Sequence, residues 1–518
     1  MILNIFRTES GENAMNTKII TWNEERGFEA DELAEAAQII RDGGLVAFPT
    51  ETVYGLGGNG LDPQASKKIY AAKGRPSDNP LILHIAKNEQ LHEVVSEIPE
   101  AAATLAEAFW PGPLTMIFKK ADCVPYETTG GLDTVAVRMP QHTGALQFLE
   151  AAGVPVAAPS ANTSGRPSPT LAKHVKEDLD GKIDMIIDGG EVGIGFESTI
   201  VDVTEEVPVI LRPGYITQKM LQDVIGEVQM DPALMQVSGD QKPKAPGMKY
   251  RHYAPKADMT LYQGDTEDVI AHINREIAAY VENGTYRPEE IGILATTEST
   301  DRYPMGQVVV AGSREEDTEG KYLYDALRRF DELHVKRILS ETFFDSAKEE
   351  AVMNRLKKAA GQNLVQVEPY EACNRVIFVS KDNITLGPMN EWILKSILMD
   401  KEKEVLSRGL VVLFEEPRNM KVTDILINHG VPCEEQVSVA FSPEEVTRDT
   451  VIITMNFAEK VKVLEDYGLE RNVYTLRELA GEEGDTEPPL GGDEEAYEAS
   501  YTECKDLLYK IKKKLQWR

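Results

Sequence analysis

The chemistry of this chain concentrates in nine consecutive residues, Lys73-Gly74-Arg75-Pro76-Ser77-Asp78-Asn79-Pro80-Leu81, with His84 three positions further on. Lysine is a mobile point charge and arginine a planar fork of donors, so the pair suits phosphate oxygens. Glycine and proline hold the backbone between them in one shape. Taken alone, the same K-x-R spacing also describes a solvated basic turn. Other candidate contacts are scattered. Thr52 lies in the hydroxyl- and glycine-dense run PTETVYGLG, and Arg138 ends the alternating run Thr134-Val135-Ala136-Val137-Arg138. Ser160, Asn162 and Ser168 belong to the polar run PSANTSGRPSPT, Ser198 to ESTIVD and Arg212 to LRPG. An arginine at a strand end is a natural fork for a carboxylate, and equally an ordinary solvent-facing residue.

The elements that must position these residues are legible from periodicity. Residues 30–42 carry apolar positions at helical spacing, and Gly43-Gly44 stops the run. Leu45 to Phe48 reads as a short buried strand that delivers the Thr52 loop. Ala65 to Ala72 reads as a helix presenting Lys73 at its C-terminal end. A helix C-terminus is negative, so side chains rather than backbone amides must hold any phosphate there. Trp110-Pro111-Gly112-Pro113-Leu114-Thr115 is a rigid turn into a strand, and Val154 to Ala158 is a strand opening into the Ser160 loop. Neither G-x-x-x-x-G-K-[ST] nor G-x-G-x-x-G after a strand is present, which removes the two commonest nucleotide-binding designs.

At 518 residues the chain is long enough for about three domains. Its 42% hydrophobic and 27% charged composition is that of a soluble globular protein. The net charge of −31 opposes a broad nucleic-acid footprint, since neutralising phosphates needs a basic face. Cys123, Cys373, Cys433 and Cys504 show no disulfide or zinc-ligand spacing, as expected of a reducing cytoplasmic setting. The N-terminal apolar run is too short to span a membrane, and Met15 is an alternative start.

PTETVYGLG, KGRPSDNPLILH, WPGPLT, TVAVRMP, PSANTSGRPSPT, ESTIVD and LRPG, in this order, resemble the YrdC family of threonylcarbamoyl-AMP synthases. Each motif alone is weak; seven in one order over about two hundred residues make chance implausible. The resemblance implies formation of threonylcarbamoyl-AMP and pyrophosphate from L-threonine, bicarbonate and ATP with Mg²⁺, the product passing to a separate tRNA threonylcarbamoyl transferase. No direct tRNA binding is expected. Carried over by motif position, Lys73 and Arg75 would be catalytic. ATP would meet Lys73, Arg75, Asn79, Thr134, Ser160, Ser168 and Arg212, and threonine would meet Thr52, His84, Arg138 and Ser198. No residue is expected to ligate metal directly. The alternative is an RNA-binding or regulatory module without synthase activity.

From residue 231 the composition becomes that of a linker, and PGMKYRHYAP resembles the segment that covers the nucleotide in longer synthases, with Tyr253 against the adenylate. Residues 257–367 read as a small Rossmann-like α/β domain similar to the synthase C-terminal domain. Residues 373–518 resemble the low-molecular-weight protein tyrosine phosphatases, whose loop runs Cys, five residues, Arg, Ser, Pro, Met. Here Ser380 stands at the cysteine position, Leu386 at the arginine position and Pro488 at the general-acid position. Loss of all three implies a parallel-sheet α/β module without catalysis. The expected whole is an α/β multidomain chain. Its segments are a disordered extension at 1–15, a YrdC-like twisted-sheet domain at 16–230, a linker or lid at 231–256, and the two further α/β domains.

Overall fold

The computed structural model describes residues 16–232, 253–343, 348–367, 373–399, 403–447, 449–469, 472–489, 491–515 and 517. The N-terminal extension, Met15 and the linker up to residue 252 fall outside the described residues. The chain divides into two compact units, residues 1–263 with 276–365, and residues 264–275 with 366–518. Both are α/β.

The first unit is built on a mixed eleven-stranded sheet. Its strand order is Lys18–Thr21, Met185–Asp188, Val46–Phe48, Gly55–Asn59, Val156–Ala157, Ile82–His84, Thr134–Arg138, Leu114–Lys119, Thr199–Asp202, Val209–Arg212 and Gln229–Met230. The central strands are short apolar runs buried on both faces, as strands covered by helices must be. Their register sets the site. Ile82–His84 runs parallel to Thr134–Arg138 with His84 opposite Arg138, and Leu114–Lys119 runs antiparallel on the other side with Thr115 opposite Arg138.

The helix that carries Lys73 spans Pro63–Lys73. Asp62 caps it by accepting from the Gln64 amide at 2.8 Å, Pro63 occupies the first turn, and Gly74 ends it at φ +61°. Lys73 is thus the last helical residue, in accord with the periodicity. Within the same unit a second sheet has the order Gln307–Val310, Ile291–Ala295, Arg337–Glu341, Asp258–Gln263 and Leu364–Gln366, its first four strands parallel. Helices Glu319–Glu332 and Glu349–Ala359 of this companion domain supply Leu323, Tyr324, Leu327, Val352 and Leu356 to a core that also takes in Val53, Phe196 and Tyr253. One apolar cluster therefore crosses from the large sheet to the small one.

The second unit has a parallel four-stranded sheet in the order Glu404–Gly409, Arg375–Ser380, Thr450–Thr454 and Val473–Thr475. Helices Leu386–Ile397 and Glu494–Lys514 pack on it through Met389, Ile393, Tyr501, Leu508 and Ile511. No helix among the described residues is long and apolar enough to cross a membrane.

Candidate active site

A cleft opens where the strand ends of the large sheet meet the loops after Phe48 and Ala157. Of the twelve residues singled out by motif, nine line it: Thr52, Lys73, Arg75, His84, Arg138, Ser160, Ser198, Arg212 and Tyr253. The remaining three stand elsewhere. Ser168 lies one hydrogen bond behind the wall, donating to Glu197 at 2.6 Å. Asn79 is buried below Arg75, its backbone oxygen facing Arg75 Nε at 3.4 Å while its side-chain Oδ1 has no hydrogen-bond partner among the described residues. Thr134 begins the strand that Arg138 ends, so at ~3.3 Å per residue their Cα atoms lie roughly 13 Å apart, and Thr134 is not among the cleft-lining residues.

The cations are held by backbone. Lys73 is 1% exposed and its Nζ donates to the carbonyls of Ser160 and Asn162, which ties the helix end to the second polar loop. Burial, reinforced by the Arg75 charge, drives its ammonium well below the ordinary lysine range. Arg75 donates to Pro80 O at 3.1 Å, and burial brings it down to about 10. Both cations are thus short of counter-charge, and an anionic ligand beside them would favour their protonated forms.

Arg138, on the strand paired with His84, is fixed on three sides. Its Nε donates to Gly112 O at 3.2 Å, its Nη1 to Thr52 Oγ1 at 2.8 Å, and its Nη2 stands 2.7 Å from Glu51 Oε1. The WPGP turn thereby serves as a bracket for the guanidinium. His84 is buried beside it with Nδ1 3.1 Å from Ile82 O, and burial followed by the Arg138 charge lowers its imidazole to about 3. A neutral ring of that basicity orients a ligand; it is a poor proton acceptor. Arg212 donates to Ser198 O at 3.0 Å and to Ser198 Oγ at 3.1 Å, while Thr115 and Ser198 share a hydroxyl contact of 2.7 Å.

Two acidic residues were absent from the sequence-based set. Glu51 follows Thr50 in the first loop, and Glu197 precedes Ser198. Burial opposes the charge of Glu197, yet Arg355 and Arg212 outweigh it and hold the carboxyl at about 2. Tyr253 carries φ +66°, a strained value for an aromatic residue, and stacks on Tyr324 with ring centroids 5.0 Å apart. No sequence pattern announces either carboxylate, because their partners are distant in the chain.

In the second unit, the strand Arg375–Ser380 leads through a five-residue loop into the helix Leu386–Ile397, with Asn383 at φ +57°. Ser380 Oγ is buried without a hydrogen-bond partner among the described residues. Leu386 is 2% exposed and belongs to the apolar core. Asp382 accepts from the Ile384 amide at 3.1 Å, so a loop donor meets a carboxylate.

A cleft lined by four basic side chains, Lys73, Arg75, Arg138 and Arg212, together with neutral hydroxyls suits anionic substrates such as those of a nucleotidyltransferase. Comparison with known proteins agrees. The Sua5/YciO/YrdC family model, described as "Telomere recombination", matches residues 38–214, and the model for the threonylcarbamoyl-AMP synthase C-terminal domain matches 216–361. A third, for low molecular weight phosphotyrosine protein phosphatase, matches 375–517. A threonylcarbamoyl-AMP synthase of Pyrococcus abyssi is 50% identical over 332 residues, 64% of this chain and 95% of that protein. One from Bacillus subtilis is 48% identical over 337 residues, covering 65% and 94% respectively. The crystal structure of P. abyssi Sua5 complexed with L-threonine superposes with a TM-score of 0.64 at 48% identity, over 68% of this chain and all of that one. The chain belongs to the threonylcarbamoyl-AMP synthase family, in the form that carries a Sua5 C-terminal domain, and bears a low-molecular-weight phosphatase-like domain behind it.

Proposed function

We propose that the cleft forms threonylcarbamoyl-AMP from L-threonine, bicarbonate and ATP, releasing pyrophosphate. The observation that carries this reading is the convergence in one cleft of nine residues drawn from seven separated motifs of a synthase-family chain. The threonine amine combines with bicarbonate, losing water, to give a carbamate, whose oxygen attacks the α-phosphorus while the bond to pyrophosphate breaks. The substrate supplies the nucleophile, so the protein needs only to orient and to neutralise charge. Arg138, with Thr52, His84 and Ser198 around it, takes threonine, the guanidinium meeting its carboxylate. Lys73, Arg75 and Arg212 face the phosphates, with Ser160 and Tyr253 beside the nucleotide. Asn79, through its carbonyl on Arg75, and Ser168, through Glu197, support that end from behind.

Mg²⁺ would enter this site on the phosphates rather than on protein ligands. Glu197 is the carboxylate among the lining residues, and both its oxygens are committed to protein donors. When bound, the ion would neutralise charge on the leaving pyrophosphate.

The phosphatase-like domain is proposed to be a non-catalytic module for contact or assembly. Ser380 Oγ has no hydrogen-bond partner, and so no activating base, among the described residues; a buried leucine stands where the phosphate fork belongs, and Pro488 cannot donate a proton. The product would pass to a separate tRNA-modifying transferase. Pyrophosphate release from ATP by the full chain, in bicarbonate and Mg²⁺ with and without L-threonine, tests the synthase reading. Dependence on threonine is expected; release without it, or none, would overturn it.

A further inference from the structure

The face where the companion domain meets the cleft is unusually close. A Cβ at Gly195 would come within 2.1 Å of Lys321 O, and one at Gly320 within 2.7 Å of the Phe196 ring. Through this contact two side chains of the companion domain reach the wall of the cleft from behind. Tyr324 Oη donates to Glu197 Oε2 at 2.8 Å, and its ring carries Tyr253. Arg355 is fully buried and grips two segments at once. Its Nε donates to Glu197 Oε2 at 3.3 Å and its Nη2 to Glu197 O at 3.2 Å, while Nη1 donates to Pro213 O. Glu197 adjoins Ser198, and Pro213 adjoins Arg212. One guanidinium therefore clips together the two strand ends whose side chains, Ser198 and Arg212, meet at 3.1 Å on the cleft wall.

We infer that Arg355 and Tyr324 are positioning residues of the adenylate-forming site, acting through Glu197, Ser198 and Arg212, so that the companion domain is part of the catalytic apparatus. The inference rests on the synthase reading above. A planar fork is required because the two carbonyl groups and the carboxylate lie around one side chain; a lysine in its place would keep the charge and lose the bridge. The ring of Tyr324 stacks on Tyr253 with or without its hydroxyl, so Tyr324→Phe tests the hydroxyl's contacts to Glu197 and to Tyr253.

The test is steady-state pyrophosphate release by the full chain and its Arg355→Lys, Tyr324→Phe, Arg212→Lys and paired variants, with binding of a non-hydrolysable ATP analogue and thermal midpoints measured in parallel. Arg355→Lys is expected to lower kcat/KM for ATP about tenfold, the scale of a lost charged hydrogen bond. In the Arg212→Lys background the same change should cost less than about twofold, because residues acting through one another are not additive. Tyr324→Phe should fall by a smaller factor with the thermal midpoint unmoved. Wild-type kinetics in both variants, or factors that multiply with Arg212→Lys, would reduce the contact to packing and overturn the inference. Should Arg355→Lys not fold, Tyr324→Phe and its pair with Arg212→Lys give the same comparison. Should the wild type show no threonine-dependent release, the synthase reading fails by itself, and the coupling is read from analogue affinity instead.

Discussion

Arg138 Nη2 and Glu51 Oε1 are 2.7 Å apart, with side chains only 5% and 12% exposed, so the guanidinium proposed to hold threonine already has a buried counter-charge. An incoming carboxylate must work against that pairing. Glu51→Gln keeps the shape and removes the charge, and should tighten threonine binding severalfold at low salt. Calorimetric titration with L-threonine measures it. A weakened affinity would instead make Glu51 a support that aims the fork.

Arg75 and Arg138 both line the cleft, and their proposed roles should separate the two substrates. Arg75→Ala is expected to raise KM for ATP, and Arg138→Ala KM for threonine, each by about 1.5–3 kcal/mol of lost binding. Initial-rate kinetics with each substrate varied in turn checks this. Equal small effects on both would remove the assignment.

His84 should impose a pH dependence on stability. Its imidazole is lowered to about 3 in the fold against an ordinary 6.5, so its contribution is fully present above pH 6.5 and is lost as pH falls towards 3. At pH 5 the folded chain gives up about 2 kcal/mol relative to pH 7 through this group alone. Thermal midpoints of the wild type should therefore drop by several degrees more between pH 7 and 5 than those of His84→Gln, scaling with ~2–4 °C per kcal/mol for a domain of this size. Parallel curves would show that His84 is not buried neutral.

The phosphatase-like domain should hydrolyse no aryl phosphate, and Ser380→Cys alone should not change that. A thiol would still lack the phosphate fork, since Leu386 is committed to the core. Turnover of para-nitrophenyl phosphate above that of a Ser380→Ala control would show that the loop retains chemistry.

What the sequence by itself determined were the pieces whose cause is local. The helix ending at Lys73 follows from Asp62, Pro63 and Gly74, and the strand ending at Arg138 from its alternation. The order of seven short motifs identified the family without any contact being known. Only the tertiary structure decided which of those residues share a wall. Sheet register sets His84 and Thr115 on either side of Arg138, while the length of one strand carries Thr134 away from the cleft. The pairing of Arg355 with Glu197, and of Glu51 with Arg138, leaves no trace in local pattern. A buried charge is fixed by whichever opposite charge the packing brings within reach, and that partner can lie more than a hundred residues away.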